Sequence, residues 1–257
     1  MIIRNKTAVA AIVLMFILSV AGYSFAGEKA EEAALGKDEA AVLLKDLAPD
    51  LKILEVRPSP VKELLWEIAV QAGERKGLLY LDSSKKYFIQ GAIVDLKTKA
   101  NLTQERLSEL TKVDTATIPL DDALVMGDKG AKYKVIVFTD PDCPYCEKLH
   151  QEMKKVVVKR QDIAFFIKMY PLPMHKGAYE KAKAIVCEKS IGLLEDAFAK
   201  KTLPTAKCDS TVVDDNLKLA EKLGIRGTPA IIMPNGIITP GSRDADALIE
   251  LIEKSAK

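Results

Sequence analysis

Two cysteines separated by two residues, Cys143 and Cys146, are the side chains of this sequence best suited to covalent chemistry. Thiols at this spacing exchange disulfides, because the thiolate of one attacks a disulfide and the other releases the product. The pair follows an apolar segment predicted to be a strand and begins a predicted helix. Unpaired N–H groups and a partial positive charge at a helix N-terminus favour a thiolate at Cys143. We therefore predict Cys143 as the nucleophile and Cys146, one helical turn further, as the resolving thiol.

A structural zinc site and an inert disulfide are the two alternatives for this pair. Zinc needs two more Cys or His ligands at suitable spacing, but the remaining cysteines, Cys187 and Cys208, lie too far apart in the sequence to form a second such pair. A redox pair is the commoner meaning of C-x-x-C after a strand. The sequence thus favours thiol–disulfide exchange that requires neither a metal nor a cofactor.

A second motif, Gly227-Thr228-Pro229, precedes another predicted strand and lies far beyond Cys146 in the chain. A proline that begins a strand cannot donate to the ladder. A cis bond before Pro229 would leave the backbone of Thr228 free to pair with an extended substrate. In combination with C-x-x-C, this motif predicts that Thr228 and Pro229 bind substrate beside the thiols.

The residues around the cysteine pair are weaker candidates. Pro144 suits the first helical turn, because its missing N–H is not needed there, and Tyr145 is expected to be exposed beside the nucleophile. Both are assigned to the substrate-binding surface. No proton acceptor for Cys146 is identified. The two histidines, His150 and His175, are expected to have packing or solvent-exposed roles. Proton transfer is a minor alternative for two charged residues, Glu147 and Lys168.

The segment 1–26 has the pattern of an export signal. Arg4 and Lys6 give a positive start, the segment 8–20 is an almost unbroken apolar run, and small residues surround Ala26. This run is shorter than the roughly 20 residues that span a bilayer. Cleavage after Ala26 is therefore expected rather than an uncleaved anchor, with export to an oxidising compartment, most consistent with a bacterial periplasm.

Export makes a disulfide between Cys187 and Cys208 the expected state of these residues. Such a bond would close a loop of about 20 residues and stabilise the fold by roughly 3 kcal/mol. Two buried free thiols are the alternative. Neither cysteine is assigned a catalytic step.

The composition excludes several classes of protein. Lys and Arg number 38 and Asp and Glu number 36, and removal of Arg4 and Lys6 with the leader leaves 36 against 36. A neutral chain is unsuited to binding nucleic acid, which requires a net basic face. The 48% hydrophobic content is too high for a disordered protein, and two histidines are too few for a multi-histidine metalloenzyme.

The sequence contains no cysteine before Cys143, which suggests two modules. The N-terminal part is predicted to contain a helix and a small meander of strands, at 30–47, 64–71, 78–81 and 87–89, with 93–96 extending the last strand. A unit of roughly 70 residues is too small to bury a robust core. It is expected to gain stability by pairing its sheet edge with a partner.

The C-terminal part has an α/β pattern that begins after a polar connecting helix at 101–112. Its order is strand, helix, strand, helices, hairpin and helix, at 133–138, 146–158, 163–169, 179–198, 217–223, 230–239 and 244–257. This is the order of a thioredoxin fold with an extra helical insertion.

The chain resembles the DsbC/DsbG family of periplasmic disulfide isomerases over nearly its whole mature length. The shared motifs are VIVFTD at 135–140, CEKLH at 146–150, GTPA at 227–230, GLLYL at 77–81 and IQG at 89–91. The last two are similar to that family's dimerisation domain. The resemblance implies an α+β/α/β fold class: a signal peptide (1–26), a small cystatin-like α+β dimerisation domain (27–96), a linker helix (97–122) and a thioredoxin-like catalytic domain (123–257).

The resemblance also implies partners. The family's members form V-shaped homodimers through the sheet edges of their N-terminal domains, act on misoxidised exported proteins and are kept reduced by a membrane thiol reductase, DsbD. Within this resemblance, Cys143 and Cys146 match the catalytic pair. Thr228 and Pro229 match the cis-proline loop, and Cys187 and Cys208 match the structural disulfide. Because Pro144-Tyr145 is DsbG-like and the second cysteine pair is DsbC-like, the subtype stays open.

These observations together predict a thiol–disulfide isomerase that reshuffles or reduces wrong disulfides. A net thiol oxidant or a dedicated reductase on the same fold is the nearest alternative, and the reduction potential separates them from an isomerase. A dimeric holdase chaperone with secondary redox activity is an alternative of another class.

Overall fold

The computed structural model describes residues 34–47 and 49–256. The predicted export signal at 1–26 lies outside the described residues. Within the two described ranges, no helix combines the length and the apolar character that a bilayer-crossing segment needs. In chain order the elements are α1 (Lys37–Leu44), β1 (Lys52–Pro58), β2 (Leu65–Ala72), β3 (Arg75–Asp82), β4 (Phe88–Ile89), α2 (Leu102–Leu110), β5 (Leu124–Met126), β6 (Tyr133–Thr139), α3 (Pro144–Lys159), β7 (Ile163–Met169), α4 (Ala178–Glu188), α5 (Ile191–Phe198), α6 (Val212–Lys222), β8 (Ala230–Ile232), β9 (Ile238–Pro240) and α7 (Ala245–Ser255).

The first four strands form an antiparallel sheet in the order β1-β2-β3-β4. Helix α1 packs on this sheet, and its Ala40 and Leu44 share a buried cluster with Ile68, Val70 and Leu81. Ile68 and Val70 are two positions apart in β2, the strand predicted at 64–71, so their side chains lie on the same face of the sheet.

Two parts of this sheet differ from the prediction. Strand β1 was not predicted, because Pro58 and Pro60 argue against a strand here; β1 is an edge strand that ends at Pro58, where proline is tolerated. The segment 93–96 does not extend β4. The carboxylate of Asp95 instead accepts hydrogen bonds from the N–H groups of Lys97 and Thr98, which turns the chain.

Polar contacts hold helix α2 to the N-terminal sheet. Arg106 donates to the buried carboxylate of Glu67 at 3.1 Å and also forms an ion pair with Glu55. The hydroxyl groups of Tyr80 and Thr103 lie 2.5 Å apart. No residue of α2 is fully buried, so this helix is solvated as predicted but is also fixed to the sheet behind it.

The second sheet has five strands in the order β5-β7-β6-β8-β9, with β6 and β7 parallel and the other pairs antiparallel. Helices cover both faces of its central strand. Val135 and Val137 pack in a core that also contains residues of α3 and α7, whereas Ile136 and Phe138 pack with Ala220 of α6. The thioredoxin-like fold with an added helical segment is thereby confirmed.

The added segment departs from the prediction in detail. The helix expected at 179–198 is two helices, because Lys189 adopts a left-handed conformation with φ 45° and Ser190 then caps α5 by accepting from the N–H of Leu193. Helix α6 begins at Val212, earlier than expected. The three-residue strand β5, which was not predicted, pairs with β7.

The chain between α2 and β5 contacts the second sheet through its backbone. The N–H of Val113 donates to the carbonyl oxygen of Gly236 at 3.0 Å. Gly236 has φ +85°, and a Cβ atom there would collide with the carbonyl oxygen of Val113. Glycine is therefore required at position 236. Further along, the side chain of Ile118 is buried in the cluster that contains Phe138.

Candidate redox site

The cysteine pair lies where strand β6 gives way to helix α3. Cys143 is the residue before the helix, with φ −85° and ψ 120°, and Pro144 occupies the first turn. The carbonyl oxygen of Cys143 accepts from the N–H of Cys146 at 3.0 Å, which begins the helical pattern. Both cysteines carry free thiols, and both are largely buried. Cys143 therefore lies after β6 at the N-terminal, partially positive end of the 16-residue helix α3.

The two thiols have opposite electrostatic environments. A hydrogen bond from the Cys146 thiol is the largest influence on Cys143 and lowers its pKa to about 5. Burial opposes this lowering, whereas the backbone N–H groups of Cys146 and Tyr145 add to it. At neutral pH, Cys143 is therefore a thiolate, the form that attacks disulfides.

Burial raises the pKa of Cys146 well above its ordinary value, and the hydrogen bond that it donates to Cys143 acts in the same direction. The side chain of Thr139 and the backbone N–H of Asp140 oppose that rise. The N–H of Asp140 points at the Cys146 sulfur at 3.4 Å. Cys146 consequently keeps its proton while Cys143 is ionised.

The Gly-Thr-Pro segment reaches the same place because it precedes β8, whose Ala230 pairs with Phe138 near the end of β6. The Thr228–Pro229 peptide is cis. The sulfur of Cys143 lies 3.6 Å from the carbonyl oxygen of Thr228, and the Thr228 side chain lowers the pKa of both thiols. Pro229 is buried. The structure therefore brings together Cys143, Cys146 and Thr228.

Two of the residues assigned to substrate binding face solvent. Pro144 is exposed, and the side chain of Tyr145 is 66% exposed beside the buried Cys143. An exposed aromatic surface therefore lies next to a buried thiol.

The minor candidates lie apart from the thiol chemistry. His150 is buried, contacts Glu195 at 3.2 Å and stacks obliquely on Phe198, so it has the packing role expected of it. Burial lowers its pKa. Lys168 donates to Asp122 at 2.5 Å, and its ammonium group is thereby engaged. Glu147 lies half-buried in the first turn of α3.

Sequence reasoning missed one pair beside the site. The buried carboxylate of Asp140, the second residue after Phe138, accepts from Nδ1 of His175 at 2.8 Å. His175 was considered only as a packing or solvated residue. An aspartate before the cysteines and a histidine in a later loop are both visible in the sequence, but no local pattern joins them.

The remaining cysteines form a disulfide. Cys187, near the end of α4, is bonded to Cys208 in the loop before α6, with Cα atoms 5.7 Å apart. Cys208 is exposed and Cys187 is half-buried. In the part of the chain that the structure describes, no group of three or more His, Cys, Asp or Glu side chains could hold a metal ion.

Two family models match the chain. One, described as a thioredoxin-like domain, matches residues 120–256, more than half of the sequence. The other, described as the N-terminal domain of disulfide bond isomerase proteins, matches residues 28–104. The two matches follow each other along the chain.

Curated relatives carry corresponding names. The thiol:disulfide interchange protein DsbC of Escherichia coli (strain K12) is 26% identical over 227 residues, which covers 86% of this chain and 89% of that protein. A probable thiol:disulfide interchange protein DsbC of Bordetella avium is 28% identical over 193 residues, covering 75% of this chain and 66% of that protein. A crystal structure of a disulfide interchange protein from Neisseria gonorrhoeae is 30% identical and covers 55% of this chain and 99% of that one, with a TM-score of 0.47. From its two consecutive domains and its two free thiols, the chain belongs to the DsbC/DsbG family of thiol:disulfide interchange proteins.

Proposed function

We propose that this protein is a thiol–disulfide isomerase that rearranges wrong disulfides in exported proteins. The observation that carries this proposal is the opposite ionisation of its two free thiols. Cys143, with a pKa of about 5, is ready to attack, whereas burial keeps Cys146 protonated.

The first step forms one disulfide and breaks another. The thiolate of Cys143 attacks a sulfur of the substrate disulfide, which yields a mixed disulfide and a free substrate thiolate. In isomerisation, a second substrate thiolate attacks the substrate sulfur of the mixed disulfide, forms a new substrate disulfide and releases the Cys143 thiolate. No net oxidation takes place.

The reductive route uses Cys146. Its thiol, after losing its proton, attacks the sulfur of Cys143, so that the Cys143–Cys146 disulfide forms and the substrate leaves with two more electrons as a dithiol. Because the pKa of Cys146 is raised, this attack is slow, and the mixed disulfide persists long enough for the substrate to rearrange. A membrane thiol reductase of the DsbD type would return the two electrons.

Substrate binding is proposed for four residues around the nucleophile. An extended, incompletely folded segment would lie across the exposed Pro144 and Tyr145 and along the Thr228–Pro229 loop. The sulfur of Cys143 lies 3.6 Å from the carbonyl oxygen of Thr228. This supports the placement, because a substrate strand beside the Thr228 backbone would bring the substrate's sulfur to the Cys143 thiolate.

We propose the periplasm as the compartment in which the protein works. The Cys187–Cys208 disulfide, whose Cys208 is exposed, supports an oxidising environment. A reducing partner is then needed, because an isomerase must keep Cys143 and Cys146 as thiols. Nucleic acid is not a proposed partner.

We also propose a homodimer formed through the N-terminal domain, residues 27–96, with 97–122 as linker and 123–257 as catalytic domain. Strand β4 is a two-residue edge strand whose Phe88 and Ile89 are exposed, as is the adjacent Tyr87. Exposed apolar residues on a free sheet edge are suited to pairing with a second copy.

Light scattering tests this assembly. The full chain should have the mass of a dimer, and Ile89→Asp should produce a monomer, whereas Val158→Asp, which charges a still more exposed apolar position on α3, should leave the dimer intact. A monomeric wild-type chain contradicts the proposal.

Refolding of scrambled ribonuclease, with parallel measurement of the resting thiol state, tests the activity. An isomerase restores ribonuclease activity and rests mainly as the dithiol. A resting disulfide with net thiol oxidation would instead identify an oxidant, and reduction without reshuffling a reductase. If the Cys143→Ala/Cys146→Ala variant still prevented aggregation and no substrate needed the thiols, the protein would be a holdase chaperone.

A further inference from the structure

We propose that His175 and Asp140 form a positioning pair, which fixes the backbone N–H that Asp140 directs at the Cys146 sulfur and thereby favours the reduced state of the thiols. This inference rests on the proposed thiol chemistry of Cys143 and Cys146. His175 is a positioning residue here, because it acts through Asp140 and does not touch the reacting sulfurs.

Asp140 joins two segments of the catalytic domain. Its side chain is completely buried immediately after β6. One carboxylate oxygen accepts from the N–H of Asp142 at 2.7 Å. The other accepts from the N–H of Leu172 at 2.6 Å and from Nδ1 of His175 at 2.8 Å. A buried carboxylate requires such donors, so the turn before the cysteines is tied to the loop between β7 and α4.

The main chain of the same residue contacts the resolving cysteine. The N–H of Asp140 lies 3.4 Å from the Cys146 sulfur. A thiol or thiolate sulfur is a better acceptor for this N–H than a disulfide sulfur, because it carries more negative charge. The contact therefore stabilises the dithiol relative to the disulfide, provided that the Asp140 backbone is held in place.

His175 supplies the side-chain part of this support. Asp142 and Leu172 donate through their backbones, whereas the imidazole of His175 is the side-chain donor to the carboxylate. Since a carboxylate only accepts, Nδ1 of His175 carries the proton. The imidazole is 24% exposed, so replacing it opens no large cavity in the core.

The test compares two replacements of His175 with a control in the same loop. His175→Leu removes the donor, and His175→Asn places an amide N–H close to the position of Nδ1. Met174→Ala changes the exposed neighbour, which faces solvent. Each full-length protein is equilibrated with reduced and oxidised glutathione, and the dithiol fraction is counted by maleimide labelling; urea unfolding is recorded alongside.

We expect His175→Leu to shift the equilibrium toward the Cys143–Cys146 disulfide by about three- to tenfold, the effect of weakening one hydrogen bond. His175→Asn and Met174→Ala should stay within about twofold of the wild type, since neither leaves the carboxylate short of a donor. An unshifted His175→Leu protein overturns the proposal, and so does an equal shift in His175→Asn, which would indicate packing alone. If His175→Leu fails to fold, His175→Gln, whose amide cannot reach the Nδ1 position, takes its place.

This equilibrium needs no protein substrate. Failure of the proposed isomerase function would appear as a wild-type chain that does not reactivate scrambled ribonuclease, whereas the glutathione measurement would still report on the positioning pair.

Discussion

Cys143 and Thr228 are 85 residues apart in the sequence, yet the sulfur of the first lies 3.6 Å from the carbonyl oxygen of the second. The contact joins the start of α3 to the residue that precedes Pro229 and β8. The sulfur of Cys143, the proposed nucleophile, is thereby placed beside the backbone of the loop before β8. The environment of Cys143 is consequently set by both segments and not by the helix alone.

The reactivity of Cys143 should depend on pH with a midpoint near 5. Because its pKa is lowered from 9.0 to about 5, the thiolate is present above that midpoint and is lost as the pH falls through it. The rate of iodoacetamide alkylation, followed by mass spectrometry, measures this directly. Cys146→Ala removes the largest cause of the lowering, so its midpoint should move upward; a wild-type midpoint near 9 would contradict the assignment.

The same shift makes the stability of the reduced protein depend on pH. Between about pH 5 and about pH 9 the unfolded dithiol chain binds more protons than the folded one, so folding becomes more favourable as the pH rises through this window. The oxidised protein has no Cys143 thiolate and should lack this contribution. Urea unfolding of both forms across the window gives the comparison.

The two thiols should respond differently to substitution. Cys143→Ala should abolish isomerisation, because no thiolate remains to attack the substrate. Cys146→Ala should accumulate mixed disulfides with substrate proteins, since the resolving thiol is gone. Non-reducing gels followed by mass spectrometry detect these adducts, and a complete lack of adducts from Cys146→Ala would argue against the roles assigned here.

Removal of the Cys187–Cys208 disulfide should weaken the fold and leave the redox chemistry unchanged. The bond joins cysteines at a sequence separation of 21, for which the chain-entropy model gives about 3 kcal/mol of stabilisation. We expect Cys187→Ala/Cys208→Ala to lose this amount in urea unfolding and to keep the wild-type glutathione equilibrium at Cys143–Cys146. A changed equilibrium would show that the second pair takes part in exchange.

Gly236→Ala should destabilise the protein more than Gly177→Ala. Both glycines have φ +85°, but a Cβ atom at Gly177 meets nothing within 4 Å, whereas one at Gly236 collides with Val113. The backbone conformation alone costs about 1–3 kcal/mol for a non-glycine residue, so Gly177→Ala measures that part. Equal losses in urea unfolding would mean that the junction can relax.

The thiol site could be predicted from the sequence because its signals are local. A strand, two cysteines three positions apart and a proline in the first turn place Cys143 at a helix N-terminus whatever the rest of the chain does. The Thr228–Pro229 loop could be assigned to the site only in combination with the distant cysteine motif, because a Thr-Pro pair by itself indicates little.

The Asp140–His175 contact could not be predicted in this way. The two residues are 35 positions apart and meet only because the loop after β7 folds back on the end of β6. No periodicity or spacing reports such a contact. Likewise, Lys189 ends α4 with a positive φ where the sequence has neither glycine nor proline to indicate a break.

Two edge strands, β1 and β5, escaped prediction for a related reason. β5 has three residues, and its hydrogen bonds to β7 come from a sheet that assembles elsewhere in the chain. Seven-residue β1 ends in a proline that argues against a strand unless its position at the edge is known. In both cases tertiary pairing outweighs local preference.

The contact of Val113 with Gly236 also decides where this chain can be cut and rejoined. Three residues of the proposed linker already contact the second sheet or its loops: Val113, the buried Ile118, and Pro119, whose carbonyl oxygen accepts from Lys168. A chimera that exchanges the front module for one from another protein should therefore be spliced in the turn after α2, so that the transplanted half brings none of these anchoring residues with it and the recipient loses none.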